Sequence, residues 1–453
     1  MTTHPMSPAT TPPGPPGRTL VGNLTAFRRN PLALLRSARE EYGDSIYLRM
    51  GGRYGAYAFF HPDQVKHVLQ ENHAAFRKVG WLKTLLGDGL LTSEGDAWLR
   101  QRRVMQPAFH RQQIAMLAPI MTTATERMLG RWNSNAGSII DISREMTRLT
   151  LTIVAQALFG VDVGEESDAF RTAIGVLFEP TNYRLRHFLR IPRFVPWPGD
   201  RRLRRAHAVL DHAVQRVIEQ HRQRRSADTA DLLSMLLAVR DADTGAAFSD
   251  HFLRDQVMTL LFAGHETTAS ALSWIWYLLG QQHAVSERVR AELATVLGGR
   301  LPTVADTPRL TYTTMVIQEA LRLYPPAWGI TRQTRRPTEV GGYLIPGGGT
   351  VVVSPYVTHR HPAFWCHPDD FHPDHFLPEA VQDRPRFAFF PFGAGPRMCI
   401  GSGFAMLELQ LVVATIAQAY RVIVPDGMVA TPLPRVTLRP RAEVPVVIER
   451  YPC

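Results

Sequence analysis

"FGAGPRMCIG", residues 392–401, carries the decisive signal in this chain. Glycines at 393, 395 and 401 are incompatible with a regular helix or a good strand, so the stretch is a loop. Cys399 lies inside it, one of only three cysteines (Cys366, Cys399, Cys453) in 453 residues. Phe404 to Leu409 is good helix material, which puts Cys399 just before a helix N-terminus. Backbone N–H groups and the helix dipole at such a place favour a thiolate over a thiol. The glycines let the backbone come close to a flat ligand, Phe392 can pack against that ligand, and Arg397 can meet an anionic group on it. A thiolate held this way suits a metal centre; the alternative is a structural cysteine buried in a turn.

The bulk numbers are compatible with one large domain or two to three average ones. A hydrophobic content of 45% and a charged content of 20% are ordinary for a folded soluble protein. Three cysteines are no disulfide framework at this length, so a reducing, cytoplasmic setting is expected. The N-terminal "MTTHPMSPATTPPGPPG" has neither a basic start nor an apolar core, and is expected to be a mobile Pro/Thr-rich tail over residues 1–17. No apolar run approaches the length of a membrane span, so no transmembrane helix is expected. The net charge of +11 is concentrated: Arg184 to Arg205 holds eight arginines against the single acid Asp200. Interleaved apolar residues there suit a membrane surface, an anionic ligand or an acidic partner as well as a solvated loop. No nucleic-acid-binding fold accompanies "RRLRR", so a nucleic-acid role is not expected.

Helical patterns dominate: "ALLRSAREEYG" (33–43), "LDHAVQRVIEQHRQRR" (210–225), a long apolar stretch from about Asp250 to Gly280, and "TYTTMVIQEALRLYPP" (311–326), stopped by Pro325 and Pro326. Strand patterns are fewer: "SIYLRM" (45–50), "YGAYAFF" (54–60), "YRVIVP" (420–425) and "VPVVIERY" (444–451). "TEVGGYLIPGGGTVVVSPY" (338–356) reads as a hairpin with a glycine turn. The expected architecture is therefore mostly α with small β-sheets (α+β), folded as a single domain over residues 18–453.

Three further patterns carry chemistry. "AGHETT" (263–268) interrupts the long apolar helix with Gly264 and the polar pair Glu266–Thr267, which are costly in a buried helix interior. Glycine and threonine there can open the backbone ladder locally, and the acid–alcohol pair is suited to relaying protons. "EALR" places Glu319 and Arg322 on one helix face at i,i+3, and "WLRQR" places Trp98 and Arg102 side by side at i,i+4. Each is weak alone. Histidines 359, 361, 367, 372 and 375 with Cys366 match no common zinc spacing, and zinc is not expected.

Taken together and in this order, the motifs resemble those of the cytochrome P450 family, over roughly residues 12–453. "FGAGPRMCIG" is similar to the family's haem-binding loop, "AGHETT" to its oxygen-activating stretch, "EALR" to its Glu-x-x-Arg core pair and "WLRQR" to its propionate clamp; "PPGPPG" (12–17) and "FHPDHF" (371–376) also fit. The resemblance implies a haem buried between the long central helix and the Cys399 loop, with Cys399 as the iron ligand. It implies Glu266 and Thr267 as the proton-delivering pair. It implies Trp98, Arg102, Arg332 and Arg397 around the two propionates, and Phe392, Gly393, Ile400 and Gly401 as further haem contacts. Glu319 and Arg322 would be structural; the family's usual third member is an arginine where this chain has His375, and folding is expected to survive that change.

The resemblance also implies an apolar substrate pocket from Trp81, Leu82, Leu85, Leu86, Phe178, Phe262, Ala263, Ala327, Trp328, Ile330 and Val436. Haem b, O2 and NAD(P)H-derived electrons follow, with a separate ferredoxin or flavodoxin and its reductase, since the chain ends soon after the Cys399 loop. Arg100, Arg103 and Arg111 are candidates for that partner's docking surface. The expected protein is a soluble, monomeric, bacterial-type monooxygenase, with peripheral membrane contact left open. A terpenoid or other secondary metabolite is the first expected substrate. Fatty-acid hydroxylation is the second, with Arg53 and Tyr57 as a carboxylate anchor. A peroxide-dependent enzyme and a non-enzymatic haem-thiolate sensor are the other readings, both disfavoured by the intact Glu266–Thr267 pair.

Overall fold

A computed structural model describes residues 11–52, 54–80, 83–133, 137–160, 176, 198–223, 231–238 and 249–451. The longer helices, in chain order, are α1 (Pro31–Tyr42), α2 (Gly95–Met105), α3 (Ala118–Asn133), α4 (Ile142–Phe159), α5 (Pro198–Gln223), α6 (Leu232–Ala238), α7 (Asp250–Gln281), α8 (His283–Leu297), α9 (Thr311–Leu323) and α10 (Ser402–Ala419). The strands are β1 (Ser45–Arg49), β2 (Gly55–Phe59), β3 (Phe76–Lys78), β4 (Ile139–Asp141), β5 (Ile330–Thr334), β6 (Thr338–Val340), β7 (Tyr343–Ile345), β8 (Thr350–Val353), β9 (Tyr420–Ile423), β10 (Pro432–Pro434), β11 (Leu438–Pro440) and β12 (Pro445–Arg450). The chain builds two compact units and enters each more than once. The first comprises Met1–Val79, Met315–Cys399 and Pro432–Arg439; the second comprises Gly80–Thr314, Ile400–Thr431 and Pro440–Cys453.

The first unit is organised on a five-stranded sheet of order β1-β2-β8-β5-β3. β1 and β2 form an antiparallel hairpin from Ser45↔Phe59 to Arg49↔Gly55, and β8 joins β2 in parallel. Alternation along β2 feeds two cores: Tyr57 and Phe59 pack with Val65, Leu69, Phe76, Val351, Val353 and Phe390, whereas Ala58 and Phe60 pack with Leu32, Leu35, Ile46 and Leu48. α1 is started by the Asn30 side chain, which accepts from the Ala33 N–H, and is ended by Gly43 at φ +89°. The 338–356 stretch departs from the expected single hairpin. β6 and β7 pair across Gly341 and Gly342, both at positive φ, but β8 leaves that ribbon for the large sheet. The N-terminal tail also differs from expectation, because its end is tied to β1. The Tyr47 N–H donates to the Pro13 carbonyl at 2.9 Å, and Arg49 Nη2 donates to the Pro16 carbonyl at 2.9 Å.

The second unit is mostly helical and includes the three-stranded sheet β4-β12-β9. α7 runs unbroken for 32 residues from an N-cap at Ser249, whose side chain accepts from the Phe252 N–H. The local opening expected at "AGHETT" is therefore not seen in the helix path. α7 packs most extensively on α4 and also meets α5, α8 and α10. Among the described residues one helix, α10, is long and apolar enough by length and composition to cross a membrane, but 61% of it is buried inside the protein. It packs against α3, α7 and α8, as the core helix of a globular unit does.

Candidate active site

The Cys399 loop owes its shape to its glycines. Gly393 and Gly395 sit at φ +70° and +65°, a region that side-chain-bearing residues rarely adopt. Three backbone bonds close the loop: Gly393 N–H to the Phe390 carbonyl at 2.9 Å, Met398 N–H to the Gly395 carbonyl at 3.0 Å, and Cys399 N–H to the Phe392 carbonyl at 2.9 Å. Behind it lies a π-helix, His67–Glu71, and a Cβ on Gly395 would stand 2.0 Å from the Leu69 carbonyl oxygen. Gly395 is thus required both by its φ and by the approach of a second backbone. Cys399 itself is exposed.

A buried ionic network stands behind this loop. Glu319 and Arg322 are both 0% exposed. Arg322 donates through Nε to Glu319 Oε2 at 2.7 Å and through Nη2 to Oε1 at 2.6 Å. Its remaining N–H groups reach the carbonyls of His359 (3.0 Å), Pro368 (2.6 Å) and Asp370 (2.8 Å). Glu319 Oε1 also accepts from the His372 N–H at 2.8 Å and lies 3.0 Å from His375 Nδ1. Burial works against ionisation of Glu319, but the hydrogen bonds from Arg322 and His375 prevail and hold its carboxyl below the usual carboxylate range. His375 fills the expected third place: its other ring nitrogen lies 2.6 Å from the Cys366 carbonyl. The Trp365 ring carries the Arg384 guanidinium 3.7 Å from its centroid and Arg322 at 5.0 Å.

His359 connects this network to the loop, a role that the sequence reading missed. Its carbonyl accepts from Arg322, and its Nε2 accepts from the Phe390 N–H at 2.9 Å. Burial, with the neighbouring Arg322 and Arg360 charges, pushes its pKa well below the ordinary histidine value, so it stays neutral and able to accept. Phe390 in turn anchors Gly393. His361 likewise lies 3.0 Å from Asp44 through Nε2.

The residues expected at the propionates are placed as follows. On the first unit Arg332, in β5, and Arg397 are half-buried, with Arg332 Nη1 donating to the Thr331 carbonyl at 3.0 Å. On the second unit Trp98 and Arg102 are half-buried on one face of α2, whereas Arg100, Arg103 and Arg111 are exposed.

On α7, Glu266 and Thr267 are half-buried, and Thr267 Oγ1 donates to the Ala263 carbonyl at 2.5 Å. Phe262 is buried and Ala263 partly open. Two to three turns earlier the helix grips the loop that precedes α2: the Asp88 N–H donates to Asp255 Oδ2 at 2.8 Å and the Leu90 N–H to Gln256 Oε1 at 3.0 Å. Gly87 and Gly89 allow this, since a Cβ on either would run into Asp255 or Thr259.

The remaining expected pocket residues divide. In the first unit Ala327 is exposed, Trp328 and Val436 are half-buried, and Trp328 Nε1 donates to the Arg435 carbonyl at 2.8 Å, which brings the 327–328 and 435–436 segments together. Trp328 also packs against the core beneath, so part of its ring is structural. Leu85 falls in the short helix Lys83–Leu86, while Trp81, Leu82, Phe178, Arg53 and residues 184–197 of the arginine-rich stretch lie outside the described residues. Arg201, Arg202, Arg204 and Arg205 are exposed on α5. Tyr57, the other expected anchor residue, is only 7% exposed, with its ring 4.9 Å from that of Tyr47 and tilted to it within the sheet core.

The family model described as Cytochrome P450 matches residues 12–445. The chain is similar to "Cyclooctatin synthase" of Streptomyces melanosporofaciens, with 39% identity over 435 residues, covering 95% of this chain and 92% of that protein. It is similar to "Pentalenene oxygenase" of Streptomyces avermitilis, with 36% identity over 418 residues and 90% of each covered. Among solved structures, the "cytochrome P450DA heme domain" superposes with a TM-score of 0.87 at 28% identity, covering 98% of both chains.

Proposed function

The chain belongs to the cytochrome P450 family, and on that premise we propose that it is a haem-thiolate monooxygenase that hydroxylates a neutral terpenoid. The observation that carries this reading is the acid–alcohol pair Glu266–Thr267 on the partly open face of an otherwise buried apolar helix. The overall reaction consumes O2, two electrons and two protons for each C–H bond converted to C–OH, with one water formed. Haem, when bound, supplies the redox-active iron for oxygen activation. Cys399 would supply the thiolate ligand, and Arg102, Arg332, Arg397 and the Trp98 N–H would hold the two propionates. Glu266 and Thr267 hold and pass the two protons at Thr267 Oγ1. Leu260, Phe262 and Ala263 contribute apolar wall and exclude water. The relatives whose names denote terpenoid oxidation support the substrate class, and the burial of Tyr57 weighs against the fatty-acid reading.

The finer assignments in this proposal are haem b, a separate ferredoxin or flavodoxin docking near Arg100, Arg103 and Arg111, a monomeric state and a cytoplasmic location. The test is an optical titration of the ferric holoprotein with neutral terpenes and with long-chain fatty acids of similar size. A Soret shift with terpenes supports the proposal. A shift confined to fatty acids overturns the substrate class.

A further inference from the structure

The residue that precedes the acid–alcohol pair determines where that pair points. His265 is 5% exposed, and its Nε2 lies 3.1 Å from the Thr147 carbonyl of α4. A carbonyl only accepts, so Nε2 carries the proton. Burial pushes the ring's pKa down to about 4, with the Thr147 bond raising it only partly, so the ring is neutral at working pH. Successive residues on an α-helix are about 100° apart, so a residue two positions on faces about 200° away. Fixing His265 on α4 therefore turns Thr267 to the opposite side. The burial pattern of α7 shows this division: Leu261, His265, Thr268 and Leu272 are buried, whereas Leu260, Ala263, Gly264, Glu266 and Thr267 form a partly open stripe. Neighbouring geometry resists rotation. A Cβ on Gly264 would lie 3.0 Å from Val154 Cγ2 of α4, so the two helices are already close at this turn. The Thr267 hydroxyl is in turn fixed to the Ala263 carbonyl.

We propose that His265 is a positioning residue for proton delivery: its N–H, bonded to the Thr147 carbonyl, sets the rotation of α7 and thereby aims Thr267 and Glu266. This rests on the monooxygenase reading of the Glu266–Thr267 pair.

The test uses the haem-loaded enzyme with its redox partners and a substrate that shifts the Soret band, comparing wild type, His265→Leu, His265→Gln and Thr267→Ala. A glutamine Nε2 reaches about where the histidine Nε2 stands and can donate to the same carbonyl; leucine fills the space and cannot. Product per NAD(P)H consumed is expected to fall several-fold in His265→Leu, with hydrogen peroxide rising to match. The substrate Kd from the optical titration should stay within about twofold, and His265→Gln should recover at least half of the coupling. Wild-type coupling in His265→Leu, or equal losses in the Leu and Gln variants, overturns the inference. Unchanged coupling in Thr267→Ala instead overturns the relay reading beneath it. If His265→Leu does not hold haem, His265→Asn, whose amide is one bond too short to reach Thr147, makes the same comparison with Gln.

Discussion

Arg322→Lys keeps a positive charge at the centre of the buried network and changes almost nothing else, so it isolates the value of the guanidinium fork. Every N–H of Arg322 is used: two bonds to Glu319 and one each to the carbonyls of His359, Pro368 and Asp370. A lysine offers three donors from a single atom, so at least two of these acceptors lose their partner in a site that is 0% exposed. At about 1.5–3 kcal/mol for each bond to a charged group, the loss is about 3–6 kcal/mol. That is a large share of the roughly 5–15 kcal/mol by which folded proteins are stable. With a urea dependence on the order of 3 kcal/mol per molar, the unfolding midpoint should fall by about 1–2 M. The assay is a urea titration of the haem-loaded protein, followed in parallel by far-ultraviolet circular dichroism and by the Soret band. The Soret signal should be lost at or before the helical signal, because the first structure released is the Arg322–His359–Phe390 connection behind the Cys399 loop. A midpoint within about 0.3 M of wild type, equivalent to roughly 1 kcal/mol, would refute the reasoning.

Gly395→Ala places a Cβ 2.0 Å from the Leu69 carbonyl at φ +65°, so haem retention should drop sharply, while Gly348→Ala, at φ +79° but in open space, should retain haem normally; the measurement is haem content after purification. His359→Leu removes the acceptor of the Phe390 N–H, at a cost of about 1–3 kcal/mol, and should speed haem loss to an external acceptor protein, with His359→Gln intermediate. Glu408, 1% exposed in α10 with no hydrogen-bond partner among the described residues, has its pKa raised well above the usual value by burial. Its folded pKa exceeds its unfolded one, so below about pH 4.5 it is protonated in both states; above that, unfolding releases a proton and wild-type stability declines by about 1.4 kcal/mol per pH unit relative to Glu408→Gln, until the folded pKa is passed. Parallel stability–pH curves for the two proteins would contradict this.

Much of the fold was legible because its signals are local. Helical spacing with a terminal glycine or proline located α1 and α9, a long apolar stretch located α7, and short strand patterns located β1, β2, β9 and β12. β5 escaped because "ITRQT" has no apolar alternation: its residues are mostly half-buried, and its strand character comes from pairing with β3 and β8. β3 and β4 are three residues long, too short for any period. The parallel pairing of β8 with β2 joins segments nearly 300 residues apart, and nothing local encodes it. α5 begins well before the apolar rhythm that revealed it, because its first turns carry exposed arginines. At the site, the residues with side-chain chemistry were readable, whereas the supporting ones were not. His359 acts through a backbone amide 31 residues away, and a sequence does not reveal which amide a histidine will meet.

Buried ionisable groups are held in two ways, and the difference follows from what each must hold still. On α7 and α10 the buried groups His265 and Glu408 are kept neutral, on helices whose own hydrogen-bond ladders already define their geometry. One directional bond, or none, is enough there. In the first unit Glu319 and Arg322 remain charged at full burial, which costs desolvation that an apolar pair would avoid. What the charges add is direction: the planar guanidinium binds one carboxylate and three carbonyls, drawn from α9 and from the segment between His359 and Asp370. That segment and the glycine-rich loop it supports have no ladder of their own, and glycine gives up more backbone freedom on ordering than any other residue. The Glu319–Arg322 pair stays charged behind Cys399 because a segment without regular structure must still present one sulfur in one place.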